Sequence, residues 1–223
     1  MNQSPNHVWW TEFPYMSLIG TAFYLAINTR PVNTLVVCML ARYSKSKTFA
    51  ACKALVHLFA YLEGTAEKGI TYTYDPSRGE GFENQFDLHS YCDADWAADL
   101  RTRRSTCGFV MYAMGGPAAW SSKLMTTVAG STMESEYMGA YPCGQQVICT
   151  RNMMGELDLV FERASPFFMD AQAAIDTLKN PVFHARVKHI AIKIHWLRQH
   201  VDGKLGKSLK IIHVRSIDMV AGI

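Results

Sequence analysis

Residues 86–123 read FDLHSYCDADWAADLRTRRSTCGFVMYAMGGPAAWSSK, and this stretch decides the fold. Three short runs within it predict consecutive β-strands at 86–92, 107–113 and 118–123. The turn residues Gly115-Gly116-Pro117 join the second run to the third, so these strands are expected to follow one another in hairpin order.

Helices and strands alternate after this stretch. Residues 131–157 predict a helix in which Ser131 is the N-cap and Glu134 completes a capping box. Pro142 lies inside that helix and predicts a kink or a split. The remaining predicted elements are a strand at 166–169, helices at 171–178 and 184–200, and a strand at 209–214. The order β-β-β-α-β-α-α-β predicts an α/β domain, with a mixed sheet and helices packed against it.

The first third of the chain predicts helices instead. Pro14 is expected to begin the first helix, Arg30-Pro31 to interrupt it, and Gly64 to end the third helix. Residues 75–85 contain glycine and proline among charged residues and predict a linker or a turn. The expected organisation is a polar segment at 1–13, a helical segment at 14–74, a linker at 75–85 and an α/β domain at 86–223.

Composition limits the class of protein. The 223 residues are 49% hydrophobic and 18% charged, which is too apolar for a disordered tail and sufficient for one core or two small ones. No run reaches the roughly 20 apolar residues that span a bilayer, so no membrane partner is expected. The polar start predicts no signal peptide. The six cysteines include no C-x-x-C pair, so we expect reduced thiols in an intracellular protein, with cytoplasm and nucleus both open.

Three acidic residues lie where predicted elements begin or end. Asp93 follows the first strand, Glu136 lies in the first turns of the long helix, and Asp170 ends the fourth strand. Carboxylates in such positions can converge at one edge of a sheet, where they repel one another unless a cation is bound. Divalent ions such as Mg²⁺ take oxygen ligands and stabilise phosphate oxygens. The alternative is that these acids form turns or cap helices.

Longer motifs occur in both parts of the chain. In the helical segment they are Pro14-Tyr15-Met16-Ser17-Leu18-Ile19-Gly20, Thr29-Arg30-Pro31 and Tyr61-Leu62-Glu63-Gly64-Thr65; in the α/β domain they are Asp93-Ala94-Asp95-Trp96-Ala97, Arg103-Arg104-Ser105-Thr106, the run 131–137 and the run 180–190. In this order they resemble the C-terminal part of a copia-type LTR retrotransposon Pol polyprotein, where the end of the reverse transcriptase precedes the ribonuclease H domain.

The resemblance implies a fold and an activity. The fold is a ribonuclease H-like mixed five-stranded sheet with flanking helices, preceded by a small helical segment. The activity is hydrolysis of the RNA strand of RNA–DNA hybrids, with Mg²⁺ or else Mn²⁺ as cofactor. The resemblance gives the catalytic and metal-binding roles to Asp93, Glu136 and Asp170. Glu134 is the rival of Glu136, but the capping box explains Glu134 better.

One departure from the family pattern bears on activity. The family has a fourth aspartate on its final helix, and alignment of residues 214–222 puts Gly222 in that place. We therefore expect a truncated final helix, with Asp218 as the residue that could replace the missing carboxylate. Two hypotheses follow. The chain is an impaired ribonuclease H, or it is an inactive retroelement remnant that at most binds nucleic acid.

Positive charge is concentrated near the C-terminus. Residues 171–223 contain nine Lys and Arg against three Asp, 9 − 3 = +6, whereas the whole chain carries +3. Arg186, Lys188, Lys193 and Arg198 are predicted to contact the phosphates of an RNA–DNA hybrid. The alternative is an ordinary solvated face. The sequence does not indicate an oligomeric state.

Overall fold

The chain divides between Ile70 and Thr71 into two units, each with its own hydrophobic core. The computed structural model describes residues 9–179, 188–201 and 208–221, with the backbone alone for 188–190. None of the helices in these ranges is long and apolar enough to cross a membrane.

Three helices form the first unit: α1 (Tyr15–Asn28), α2 (Thr34–Ala41) and α3 (Phe49–Gly64). Thr48 caps α3 by accepting a hydrogen bond from the Ala51 amide at 3.2 Å. The Tyr15 hydroxyl donates to the Leu40 carbonyl at 2.8 Å and so joins α1 to the end of α2. The buried side chains are Tyr15, Ile19, Ala22, Ala26, Val37, Leu40, Ala51, Cys52, Leu55, Leu58 and Leu62. The predicted small helical segment is confirmed.

The expected linker contains ordered structure of the second unit. A 3-10 turn at Pro76–Arg78 precedes helix α4 (Phe82–Phe86). The ring centroids of Phe82 and Phe86 lie 5.2 and 5.6 Å from that of Phe161, so α4 packs against the second core. The sequence prediction missed this helix because one i, i+4 pair of phenylalanines is too short a pattern to be recognised among glycines and charges.

Five strands form the sheet of the second unit: β1 (His89–Ala94), β2 (Thr106–Ala113), β3 (Gly116–Leu124), β4 (Ser165–Met169) and β5 (Leu209–His213). Their spatial order is β3-β2-β1-β4-β5. The first three strands are antiparallel neighbours, whereas β1 pairs with β4, and β4 with β5, in parallel. The predicted mixed five-stranded sheet is confirmed.

Three helices flank this sheet: α5 (Thr132–Gly155), α6 (Gln172–Lys179) and α7 (Lys188–Val201). Helix α5 packs on β1 and β2, and α7 packs on α5, α6 and β5. The largest side chains that are fully buried between the helices and the sheet are Tyr137, Phe167, Met169, Ile175, Leu178, Ile194, Leu197 and Leu209. The Tyr137 hydroxyl donates to the Ala174 carbonyl at 3.0 Å, which satisfies its polar end inside this core.

Pro142 does not split α5, which continues from Thr132 to Gly155. The prediction of a split is therefore wrong. Proline removes one backbone hydrogen bond, but packing on both sides of Pro142 outweighs that loss. Ala140, Cys143 and Val147 are fully buried on this stretch of the helix. The predicted N-cap is present, since the Ser131 hydroxyl accepts a hydrogen bond from the Glu134 amide at 3.2 Å.

Candidate metal centre

Three carboxylates meet at one edge of the sheet. One carboxylate oxygen from each of Asp93, Glu136 and Asp170 lies within 4.8 Å of the other two. In the part of the chain that the structure describes, this is the only group of three or more His, Cys, Asp or Glu side chains that could hold a metal ion.

Strand direction places the two aspartates together. Asp93 is the penultimate residue of β1, and Asp170 directly follows β4. Because β1 and β4 are parallel neighbours, their carboxyl ends lie at the same edge of the sheet. The sequence pattern placed both residues at strand ends, but the strand pairing brings them within reach of each other.

Helix α5 brings the third carboxylate to this edge. Gly139 lies one turn after Glu136, and a Cβ atom there would lie 3.4 Å from the Asp93 carbonyl oxygen and 3.3 Å from the Cβ of Cys107. The missing side chain thus lets the helix approach β1 and β2 closely. Glu136 is consequently buried, with 5% of its surface exposed.

The electrostatics of the cluster favour a bound cation. Burial, together with the smaller effect of the charges of Asp93 and Asp170, raises the pKa of Glu136 to about 8. A divalent cation would offset both the burial and the repulsion. Carboxylate oxygens are the ligands that Mg²⁺ and Ca²⁺ prefer. The donor set therefore fits a hard divalent ion.

Residues beside β5 fix the position of Asp170. The Ser216 hydroxyl donates to Asp170 Oδ2 at 2.7 Å. His213 Nε2 lies 3.1 Å from the Asp170 carbonyl oxygen, which can only accept, so Nε2 donates. The sequence analysis missed both residues, because only the pairing of β4 with β5 brings them near Asp170. In that pairing, Met169 lies opposite His213.

The other acidic residues considered for this site bind backbone amides or an arginine instead. Asp95 Oδ1 accepts from the Thr106 amide at 2.6 Å. Glu134 Oε2 accepts from the Gly130 amide at 2.8 Å, so its carboxylate serves the start of α5 and Glu136 is the one that joins the cluster. Asp218 forms an ion pair with Arg215 at 2.7 Å and is not part of the cluster. Gly222 lies outside the described residues.

The four predicted phosphate contacts are placed differently. Arg186 lies outside the described residues, and so does the side chain of Lys188. Lys193 is half-buried, with its ammonium 5.6 Å from the ring centroid of Tyr141. Arg198 is only 7% exposed and donates to the Thr177 carbonyl. Its guanidinium group therefore joins α7 to α6. In this buried position, Arg198 is not available to contact the phosphates of a nucleic acid.

Comparisons with known proteins found relatives in sequence. No protein-family model matches the chain. The chain is 34% identical over 201 residues to the retrovirus-related Pol polyprotein from transposon TNT 1-94 of Nicotiana tabacum, a match to 90% of this chain and 14% of that protein. It is 33% identical over 207 residues to the Pol polyprotein from transposon RE1 of Arabidopsis thaliana, a match to 93% of this chain and 13% of that protein.

A shorter relative and two solved structures are also similar. Secreted RxLR effector protein 161 of Plasmopara viticola is 33% identical over 135 residues, covering 60% of this chain and 89% of that protein. Ribonuclease H1 of Halobacterium salinarum NRC-1 is 15% identical, with a TM-score of 0.43 over 60% of this chain and 90% of that chain. LC11-RNase H1, solved in complex with an RNA/DNA hybrid, is 13% identical, with a TM-score of 0.42 over 60% of this chain and 88% of that chain.

The Pol polyprotein matches extend over both units, because each is longer than either unit alone. The chain spans only 14% and 13% of the length of these two relatives. The helical unit, the mixed sheet with its flanking helices and the shared sequence agree with the resemblance seen in the motifs. The chain is therefore a homologue of retrovirus-related Pol polyproteins from plant transposons over 90% of its length, and its second unit has the mixed five-stranded sheet with flanking helices that the resemblance implied.

Proposed function

We propose that the second unit is a divalent-metal-dependent ribonuclease H that hydrolyses the RNA strand of RNA–DNA hybrids. One observation carries the proposal: three carboxylates converge at one edge of the sheet in a chain of this family. The resemblance to a ribonuclease H domain supplies the substrate class, and the carboxylate cluster supplies a chemical means to act on a phosphodiester.

Asp93, Glu136 and Asp170 are the proposed catalytic residues and metal ligands. The two aspartates extend from parallel strands of one sheet, so their carboxylates are held on a rigid edge. Ser216 orients the Asp170 carboxylate through its 2.7 Å hydrogen bond. Glu136 is itself shielded from solvent, which strengthens the electrostatic interactions of its carboxyl group. When bound, Mg²⁺ or Mn²⁺ would supply the charge that stabilises phosphate oxygens and activates water for in-line attack.

Recognition of the hybrid would depend on its shape. Proteins read A-form helices through the wide minor groove, the 2′-hydroxyls and the phosphates, with little reading of the base sequence. Lys193 supplies a cation on α7, and its half-buried position over Tyr141 restricts where that charge lies.

Cleavage of a labelled RNA–DNA hybrid tests the proposal, first with Mg²⁺ and then with Mn²⁺. The wild-type protein should produce 3′-hydroxyl and 5′-phosphate ends. Asp93→Asn should lose about 10²-fold or more, because the variant loses a charged ligand at the reacting centre. Purifying both proteins identically controls for host nuclease, and equal cleavage by both would identify such a contaminant. A folded wild-type protein without activity in either metal would contradict the proposal.

A second function is favoured by the fourth carboxylate position. Gly222 stands where the family has an aspartate, and Asp218 is paired with Arg215 outside the cluster. A remnant that binds nucleic acid without cleaving it fits these residues. Binding of the hybrid by a wild-type protein that does not cleave it would select this alternative.

A further inference from the structure

A basic loop lies next to the carboxylate cluster. The β1–β2 loop, residues 95–105, begins two residues after Asp93. It therefore leaves the sheet at the same edge as the three carboxylates. Its cations are Arg101, Arg103 and Arg104, none of which belongs to the phosphate contacts predicted on the C-terminal quarter.

Hydrogen bonds fix the shape of this loop. At its base, the Asp95 amide donates to the Thr106 carbonyl at 3.0 Å. At its centre, Asp99 Oδ1 accepts from the Arg101 amide at 3.2 Å and from the Thr102 amide at 2.8 Å. The Arg103 amide donates to the Asp99 carbonyl at 2.7 Å. The arginines are thus presented from a backbone that is already ordered.

Within the loop, the carboxylates bond to the backbone and the arginine side chains stay exposed. Asp95 and Asp99 use carboxylate oxygens to accept from backbone amides. Arg101 and Arg103 are exposed, and no ion pair joins either guanidinium to a carboxylate in the described ranges. Arg103 has a φ of 54°, a left-handed conformation that is costly for a residue with a side chain. The loop therefore displays positive charge from a constrained backbone.

Two lysines lie near Cys107, at the start of β2. Exposed Lys123 on β3 pairs in register with Cys107 on β2. Lys193 of α7 reaches Met138 Sδ at 3.1 Å, and Met138 precedes Gly139, where an added Cβ atom would lie 3.3 Å from the Cβ of Cys107. Burial raises the pKa of the Cys107 thiol, and the charges of Lys123 and Lys193 act in the opposite direction. Both lysines thus add positive charge near Cys107, two residues after the loop ends.

We propose that the β1–β2 loop is a preformed contact for the nucleic-acid backbone, in which Arg101 and Arg103 bind phosphates of the duplex whose RNA strand reaches Asp93. This inference rests on the proposed ribonuclease H function. An ordered loop with exposed guanidinium groups loses little conformational freedom on binding, and guanidinium groups match phosphate oxygens in charge and geometry.

Hybrid binding without divalent metal tests the inference separately from catalysis. The probe is a fluorescein-labelled RNA–DNA hybrid in EDTA, with anisotropy measured over a series of KCl concentrations on the full chain. Each of Arg101→Gln and Arg103→Gln should weaken binding several-fold and lower the slope of log affinity against log salt by about 0.9. The double variant should lose about twice that slope. Arg101→Lys with Arg103→Lys should keep most of the slope, because the charge remains.

Lys210→Gln is the matched control. Lys210 is an exposed cation that pairs with Pro166 near the start of β4, at the opposite end of the strands that carry Asp93 and Asp170. The Lys210→Gln variant should bind the hybrid with the wild-type affinity and salt dependence. A wild-type slope in the folded double variant would overturn the inference and leave the proposed function standing. An equal loss in Lys210→Gln would overturn it too, since net charge alone would then explain binding. A wild-type protein that neither binds nor cleaves hybrid would contradict both proposals.

Discussion

Glu136 carries the unfavourable electrostatics of the carboxylate cluster, namely burial and repulsion between like charges. It is 5% exposed, which disfavours its charged form, and it faces two aspartates of the same sign. Both effects raise its pKa, to about 8, and burial is the larger one. Without metal, the carboxyl is therefore expected to be largely protonated at neutral pH. Metal binding requires the proton to leave.

The stability of the metal-free protein should therefore depend on pH through Glu136. A carboxyl whose folded-state pKa is raised binds more protons when folded than when unfolded, so it adds stability at low pH that is lost as pH rises. In EDTA, the wild type should lose stability relative to Glu136→Gln between about pH 4.5 and about pH 8. The loss is at most about 1.4 kcal/mol for each pKa unit.

Urea denaturation of both proteins at several pH values measures this difference. Repeating the series with saturating Mg²⁺ should flatten the dependence, because the bound cation favours the carboxylate. A difference that stays constant from pH 5 to pH 9 in EDTA would show that Glu136 keeps an ordinary pKa.

Helix α5 is the element on which the second unit depends. Its first turns carry Glu136, Gly139 allows close approach to β1, and Gly144 faces α7. A Cβ atom at Gly144 would lie 2.7 Å from Leu197 Cδ2 and 3.3 Å from Trp196 Cζ3. Since Leu197 is 1% exposed, it has little room to move. Small residues along one helix thus let it contact the sheet and a second helix at once.

The two glycines Gly144 and Gly155 of α5 should respond oppositely to alanine. Gly144→Ala should destabilise the protein by about 1–3 kcal/mol through overpacking against Leu197. Gly155→Ala, at the end of the helix with no neighbouring atom within 4 Å, should stabilise it by about 0.4–1 kcal/mol because the unfolded chain loses freedom. Urea midpoints with unchanged m-values would measure both effects. A neutral Gly144→Ala would show that α7 can shift away from α5.

The whole chain combines two units that each bury their own core. The carboxylates belong to the second unit alone, since Asp93, Glu136 and Asp170 all lie after Thr71. A ligand that binds only the folded state stabilises it by mass action, by about 2.7 kcal/mol at one hundred times its dissociation constant. Bound metal should therefore stabilise the folded state of the second unit against unfolding.

Thermal unfolding should show this at the level of the molecule. Millimolar Mg²⁺ should raise the melting temperature of the wild type by several degrees and leave Asp93→Asn unchanged. The tyrosine and tryptophan fluorescence of the protein reports the transition. The same shift in both proteins would mean that Mg²⁺ acts elsewhere on the chain. Absence of any shift, together with absent cleavage, would favour the inactive remnant.

The sequence by itself determined most of the helices and strands and identified the three acids. Strand and helix patterns depend on neighbouring residues, so the sheet strands, the Ser131 cap and the helices of the first unit were recognisable locally. The positions of Asp93, Glu136 and Asp170 at element ends were recognisable for the same reason. Pro142 and the short helix α4 were misjudged because packing from distant residues, which a local pattern does not contain, stabilises them.

Only the tertiary structure decided which of these residues meet. Parallel pairing of β1 with β4 brings Asp93 to Asp170, and that pairing joins segments more than seventy residues apart. The same long-range packing buries Arg198 and brings Ser216 to Asp170. Charge and spacing along the chain are local properties, whereas burial and contact depend on how the whole chain packs. The sequence therefore named the candidate residues, and packing determined which carboxylates cluster and which charged side chains are structural.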